Sequence, residues 1–381
     1  MRKLLTYTLL LMTLTLSAQT DSVRVNMSND SIGMDTLVAD TMQADTLRKK
    51  KPNIFKRVYN FLDRVFSPPR DLKYIDVQDY YNWCGMVQLT TRFEVYQLDA
   101  GEEDFILRLS PKPRTRIGPF FGWRFAFFGY NIDLKSIFMN SDDTDLAASI
   151  YSAAFGADLF YRRVGGNYNI NKLKVRNVDM TPSLKGQPFD GVQMGMTRIS
   201  LYYIPNYKHY SHQAAFSQTH RQLISAGSMI FGVSYAHNRC TIDWSKLTEM
   251  VNSINNTDQY KNVVLSGNQK NDEFALTCGY GYNWVFAKNW LLGLEITGSL
   301  GYLNQHVDAE MKENTSFLEN IDAQIRKNIA FDGTTRLALV YNSGPIYTGM
   351  QSVCFYYQHG NGVMMSRNLI ASLYAFVGYN F

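Results

Sequence analysis

Over residues 372–381 the chain reads SLYAFVGYNF and stops. The last residues of a domain are commonly polar and frayed. These alternate instead. Leu373, Ala375, Val377, Tyr379 and Phe381 share one face, and Ser372, Tyr374, Phe376, Gly378 and Asn380 share the other. A period of two is the mark of a β-strand. An apolar stripe that continues to a terminal aromatic asks for a strand that stays paired, and faces an apolar medium, to its final residue.

The same period recurs upstream. In EFALTCGYGYNW (273–284), Phe274, Leu276, Cys278, Tyr280, Tyr282 and Trp284 oppose Thr277, Gly279, Gly281 and Asn283. WLLGLEITGSLGY (290–302), IYSAAFGADLFYRR (150–163) and MVQLTTRFEVYQL (86–98) alternate likewise. Further candidate strands cover residues 104–110, 115–134, 192–217, 224–237, 328–342 and 346–357. Parity breaks around 115–135 and 192–237, where one long segment reads as two strands joined by a tight turn. Strands of soluble sandwiches average about 5 or 6 residues, whereas a tilted strand needs about 9–11 to cross a bilayer. Many of these runs reach that length. AKN (287–289) and NSGP (342–345) read as tight turns, and the polar stretches 238–272 and 303–327 as long loops. Short turns at one end and long loops at the other are the habit of outer-membrane barrels. The predicted fold class is all-β: an antiparallel transmembrane β-barrel of about 12 strands, within a range of about 10 to 14.

Charged residues support that reading. Arg92, Glu94, Arg108, Arg124, Asp158, Arg162, Glu295 and Arg336 form a lumen-facing set of mixed sign, with Arg162 and Asp158 as a candidate pair. Aromatics near strand ends, among them Tyr151, Tyr161, Tyr282, Trp284, Trp290 and Tyr302, suit interfacial girdles. Mean hydropathy is -0.23, too polar for a bundle of membrane helices, and no apolar run reaches the roughly 18 residues of a spanning helix. The net charge of +5 is mild. With no concentrated basic-aromatic patch, nothing points to nucleic acid.

The start of the chain reads as an export signal over 1–18, with Arg2 and Lys3 ahead of a short apolar run and a small-residue site at Ser17 and Ala18. An Asp/Thr/Ser-rich tract over 19–51 reads as a flexible linker. Ile54, Phe55, Val58, Phe61, Leu62, Val65 and Phe66 recur at helical spacing, predicting an N-terminal amphipathic helix within 52–70 that ends at Pro68 and Pro69. The barrel then occupies 74–381.

The alternating ending, with its final Phe381, resembles the C-terminal signal by which Gram-negative barrel proteins are recognised for assembly. That resemblance implies an outer-membrane location, membrane lipid and the barrel-assembly machinery as partners, and a periplasmic N-terminal segment. A second resemblance lies in NYKHYSHQAAFSQTHRQLISAGSMIFGVSYAH (206–237). Through Ser211, Ala214, Ala215, Phe216, Gln222, Ser225, Ala226, Gly227, Ser228 and Gly232 it is similar to an uncharacterised family of exported, barrel-like proteins from Bacteroides-type bacteria. The family implies a barrel from about residue 74 onward and no agreed activity. Read from its residues alone, the block is a strand, a polar turn at 218–222 and a small-residue strand.

No nucleophile elbow, HExxH, P-loop or dinucleotide motif is present. YYQHGNGVMMSRN (356–368) faintly resembles the His-x-Ser-Asn motif of outer-membrane lipid hydrolases. Gly360 and Asn361 follow His359 where a serine is needed, so Ser366 would serve only if the loop folds back. His209 and His212 are three apart, which on a strand puts them on opposite faces and suits no metal. Cys84, Cys240, Cys278 and Cys354 fix no disulfide pairing. No cofactor, metal or catalytic residue is expected. The reading is a non-enzymatic outer-membrane barrel, channel-like or structural, for which small solutes or ions are candidate ligands. The alternatives are a lipid hydrolase or acyltransferase using His359, and a secreted soluble β protein.

Overall fold

The computed structural model describes residues 68–78, 81, 83–100, 105–123, 126–130, 132–133, 144–166, 168–175, 178–255, 265–311, 328–360 and 364–381. The expected export signal, linker and amphipathic helix lie outside these residues, apart from 68–70, which are irregular, and so does Arg124. Among the described residues twelve strands make the barrel wall: β1 (Trp83–Ala100), β2 (Arg114–Trp123), β3 (Ala126–Tyr130), β4 (Thr144–Tyr151), β5 (Phe155–Gly165), β6 (Val192–Tyr203), β7 (Ala226–Asp243), β8 (Leu265–Ala287), β9 (Trp290–Met311), β10 (Asn328–Asn342), β11 (Ile346–Gly360) and β12 (Met364–Asn380). Each pairs antiparallel with the next.

Closure falls to the chain's last strand. β12 runs beside β1 from Met364 opposite Ala100 to Asn380 opposite Cys84. Phe381 and Trp83 then exchange backbone hydrogen bonds of 2.8 and 2.9 Å. A sheet closed this way leaves no row of unpaired N–H and C=O groups, each of which costs several kcal/mol in lipid. The ending SLYAFVGYNF is the seam of the barrel.

Alternation sorts the side chains. Along β9, Leu294, Ile296 and Leu300 are exposed while Glu295, Thr297 and Ser299 are buried. Leu276 on β8 is 70% exposed and its neighbour Ala275 5%. Charge inside and apolar outside inverts a soluble domain. Aromatic rings band both ends of this surface. Trp284, Phe286, Trp290 and Tyr341 make a chain of ring contacts at the short-turn end, and Tyr235 and Phe274 touch at the other. Phe274 and Trp284 are about ten residues apart, which for a tilted strand is roughly 25 Å, the height of an outer-membrane apolar band. Ile296 sits opposite Tyr280 near the middle of that band. Ile296→Arg is therefore expected to lower unfolding stability in lipid vesicles by about 2–4 kcal/mol. An unchanged urea midpoint would mean that this face does not meet lipid.

The tight turns form as read: Asn289 takes a left-handed φ of 67° and Gly344 one of 110°. The segment 115–134 divides into β2 and β3. The predicted loops 238–272 and 303–327 are not wholly loops. β7 runs on to Asp243 and is followed by helix α3 (Trp244–Asn255), β8 begins at Leu265, and β9 reaches Met311. Beyond the membrane both faces of a strand meet polar surroundings, so the stripe fades while pairing continues.

The far end carries a cap, of which the expected strand at 104–110 is the first part and the rest was not signalled by periodicity. Phe105–Pro111 pairs on one edge with the end of β1, Tyr96 to Ala100, and on the other with Tyr168–Val175, and helix α1 (Thr181–Leu184) follows. Leu107, Tyr168, Ile170, Leu173, Leu184 and Phe189 form its buried apolar core.

Candidate functional site

The lumen holds the polar chemistry of this molecule. The link between β6 and β7, residues 204–225, folds into the barrel from the short-turn end instead of making a tight turn outside. Asn206 reverses the chain, accepting from the backbone N–H groups of His209 and Tyr210 and donating to the Gly227 carbonyl at 2.8 Å. Ser211 caps a short helix, α2 (His212–Phe216), by accepting from the Ala214 N–H at 3.2 Å. Gln218 ends it with a left-handed φ of 59°. Residues Arg221–Gln222 then pair with Ile75–Asp76, so the strand leading into β1 is stitched to the same plug.

The wall is shaped for this insert. Asn283 on β8 is fully buried and donates to the Ser211 carbonyl at 2.8 Å and to Gln222 Oε1 at 3.2 Å. Asn342 donates to the Gln218 carbonyl, and Gln351 to the Ala215 carbonyl, each at 3.1 Å. Close approach needs small residues. A Cβ on Gly293 would lie 2.6 Å from Ala215 Cβ, and one on Gly281 would lie 2.3 Å from the Tyr210 hydroxyl. Glycines of the inner face therefore make room for α2 and for Tyr210.

Charged groups lock the plug to the wall. His212 Nε2 is 2.9 Å from Glu295 Oε2. Arg336 Nε is 3.6 Å from Glu295 Oε1, its Nη2 is 3.4 Å from Asp158 Oδ2, and its guanidinium lies over the Phe216 ring. Further up, Glu94 pairs with Arg162 and accepts from the Tyr96 hydroxyl at 2.6 Å. Arg92 donates to Ser372 Oγ at 2.9 Å. A third group joins Arg198 to Asp332 at 3.1 Å, beneath the Tyr357 ring. Between these groups and the cap lies a cavity of about 90 Å³, bordered by Leu107, Met194, Met196, Tyr96, Asn271 and Ile370.

The sequence-derived set is thus distributed as follows. Arg92, Glu94, Arg162 and Glu295 are buried on the inner face, and Asp158 and Arg336 are half-buried there. The pairing expected between Arg162 and Asp158 is replaced: Arg162 meets Glu94 and Asp158 meets Arg336, because partners come from different strands across the lumen. Arg108 sits on the cap strand and donates to Gln97 Oε1. Leu373, Val377, Tyr379 and Phe381 are exposed on the outer face, with Ala375 between them half-buried. Sequence reading missed Arg198, Asp332 and the buried Glu273 beside them, although Asp332 shares a strand face with Arg336, four residues on. It weighed His212 only for metal binding, on an expected strand, whereas the residue opens helix α2 and meets Glu295.

His220 lies where the plug meets the segment leading into β1. Desolvation, with the positive Arg70 guanidinium as a second cause, pushes its imidazole well below the ordinary value. The ring is neutral in the folded chain, while in the unfolded chain it takes up a proton below about pH 6.5. Its contribution is complete above about pH 6.5 and is lost as pH falls. Stability is expected to drop by up to about 1.4 kcal/mol per pH unit just below that point. His220→Gln should flatten that part of a urea-midpoint profile against pH.

Among the described residues no cluster of three or more His, Cys, Asp and Glu is placed to hold a metal ion, and all four cysteines are free thiols. The register of β11 and β12 puts His359 opposite Ser366, so no folding back of the loop is needed to bring the two positions together. Ser366 Oγ donates to Asn368 Oδ1 at 3.4 Å.

Residues 69–381 match the profile of a family described as Domain of unknown function (DUF4421). No curated protein matches the chain. Similar solved structures include the outer membrane protease OmpT from Escherichia coli, 8% identical over 79% of this chain and 97% of that one, with a TM-score of 0.36. The beta domain of the Bordetella autotransporter BrkA is 9% identical over 79% and 100%, at 0.28. The translocator domain of autotransporter NalP from Neisseria meningitidis is 9% identical over 80% and 91%, at 0.25. Likeness at this level carries no argument about activity.

Proposed function

The chain belongs to the DUF4421 family of domains of unknown function, and for this member we propose a non-enzymatic outer-membrane barrel held shut by its own plug. The observation that carries the reading is the fold of residues 204–225 into the lumen, where Glu295, Asn283, Asn342 and Gln351 hold them. The exposed apolar band and its aromatic rims support residence in lipid over a secreted soluble domain. The expected export signal supports an outer-membrane address and a periplasmic N-terminal segment. The apolar face of Leu373, Val377, Tyr379 and Phe381 on the closing strand supports recognition by the barrel-assembly machinery.

A structural role fits this geometry better than an open channel. The lumenal carboxylates and guanidiniums neutralise one another instead of lining water, and Ser211 is used as a helix cap. Full-length protein in planar bilayers is expected to conduct near background. A steady, large conductance from unaltered protein would overturn the reading. One observation favours a gated variant of it: the plug is tied at both ends yet held by non-covalent polar contacts. Small solutes or ions would then pass only when it moves.

A further inference from the structure

The outer face of β5 to β8 is ordered level by level. One level carries Leu159, Ile199, Tyr235 and Phe274, the apolar and aromatic rim of the lipid band. The next, away from the plug, carries Tyr161, Thr197, His237 and Asp272. The only carboxylate of these levels is already engaged there, since Asp272 Oδ1 accepts from the Tyr235 hydroxyl at 2.6 Å and lies 2.8 Å from His237 Nδ1. The level beyond is cationic: Arg163, Gly195, Arg239 and Lys270 in register. Arg163 and Arg239 are exposed, and among the described residues neither side chain has a hydrogen-bond or ion-pair partner.

Gly195 sits between the two arginines and leaves a notch one strand wide. Strands are about 4.8 Å apart, so the arginine backbones stand roughly 10 Å from each other. Two planar forks reaching in from either side of a gap that size suit a phosphate, which each can bind through two N–H groups. Packing does not demand the glycine. A Cβ there would meet only ordinary contacts, 3.8 Å to the Arg162 carbonyl and 3.9 Å to Arg239 Cβ.

We infer that Arg163 and Arg239, with Gly195 between them, hold the phosphate of a lipid headgroup in the leaflet at the long-loop end of the barrel. The position decides the class of ligand. Two levels above an aromatic rim is headgroup depth, where arginines extend from apolar surface into the polar layer. A free anion in water would not need a lipid band directly beneath it. The occupant is a phosphorylated lipid, such as the glycolipid of an outer leaflet.

The inference rests on the membrane placement proposed above, and the test separates the two. Full-length protein is inserted into phosphatidylcholine vesicles containing either bisphosphorylated or dephosphorylated lipid A. The lipid retained after gentle detergent extraction is counted by native mass spectrometry. The phosphorylated form should be retained preferentially. Arg163→Gln with Arg239→Gln should reduce that retention about twenty- to thirty-fold, from roughly fivefold for each cation. Gly195→Val, which fills the notch and suits a strand, should reduce it with both charges intact. Equal retention of both lipid forms by unaltered protein, or displacement of the lipid by inorganic phosphate, would overturn the lipid site while leaving the barrel in the membrane. Failure of the protein to enter either vesicle would overturn the membrane placement, and the site with it.

Discussion

Replacing residues 206–222 with a short glycine-serine linker is expected to turn a near-silent barrel into a conducting one, with single-channel conductance rising several-fold above that of the intact protein. Those residues include α2, which presses Ala215 against Gly293, and His212, which meets Glu295 inside the wall. Their removal exposes Glu295, Asp158 and Arg336 to water, and such a ring of side chains then sets ion preference. The wall does not depend on the plug for its ladder: β6 and β7 pair with each other over residues 192–203 and 231–242. Gly293→Val is a milder form of the same experiment. It overfills the contact with Ala215, costs about 1–3 kcal/mol, and should produce intermittent openings. A plug-deleted barrel that closes properly and stays silent would place the block elsewhere in the lumen.

The second large effect concerns the buried charges. Glu94→Ala is expected to destabilise the barrel by about 3–5 kcal/mol, measured by urea unfolding in vesicles. Glu94 and Arg162 are almost wholly shielded from solvent and paired. The substitution leaves a guanidinium in a poorly hydrated interior and takes from the Tyr96 hydroxyl its acceptor. Most of that cost is the stranded charge, not the net worth of the pair. Replacing both members with apolar residues of similar volume, Glu94→Leu with Arg162→Met, should therefore cost clearly less than Glu94→Ala alone. If the double variant proves worse than the single, the pair stabilises beyond its own desolvation.

Most of the wall was legible in the sequence. Lipid outside and packed polar groups inside make the two faces of EFALTCGYGYNW differ at every step, so a period of two reports directly on the fold. Where both faces meet similar surroundings the signal weakens. That is why residues 238–243 and 265–272 read as loop although β7 and β8 continue through them. The plug was not legible. HQAAF carries too few residues to show a helical period, and its placement depends on partners such as Asn283 and Gln351, far away in the chain. Its composition did leave a trace. Ser211, Ala214 and Ala215, part of the most recognisable block of the chain, are small because a segment threaded into a narrow barrel has little space. Gln222 is there because its amide completes five contacts, with the Ser211 N–H, Asn283 and the Tyr74, His209 and Ile224 carbonyls. The lumenal charges were found as a face but not as pairs, since parity gives the side of the wall and not the partner across it.

The most direct test of a closed barrel resident in the outer membrane is the mobility of the protein from an outer-membrane fraction on a denaturing gel, with and without boiling. A barrel whose first and last strands are joined from Cys84 and Asn380 to Ala100 and Met364 resists detergent until heated. The band is therefore expected to shift on boiling. Recovery in the soluble fraction, with one mobility under both conditions, would contradict the membrane barrel and the reading of its last ten residues as the closing strand.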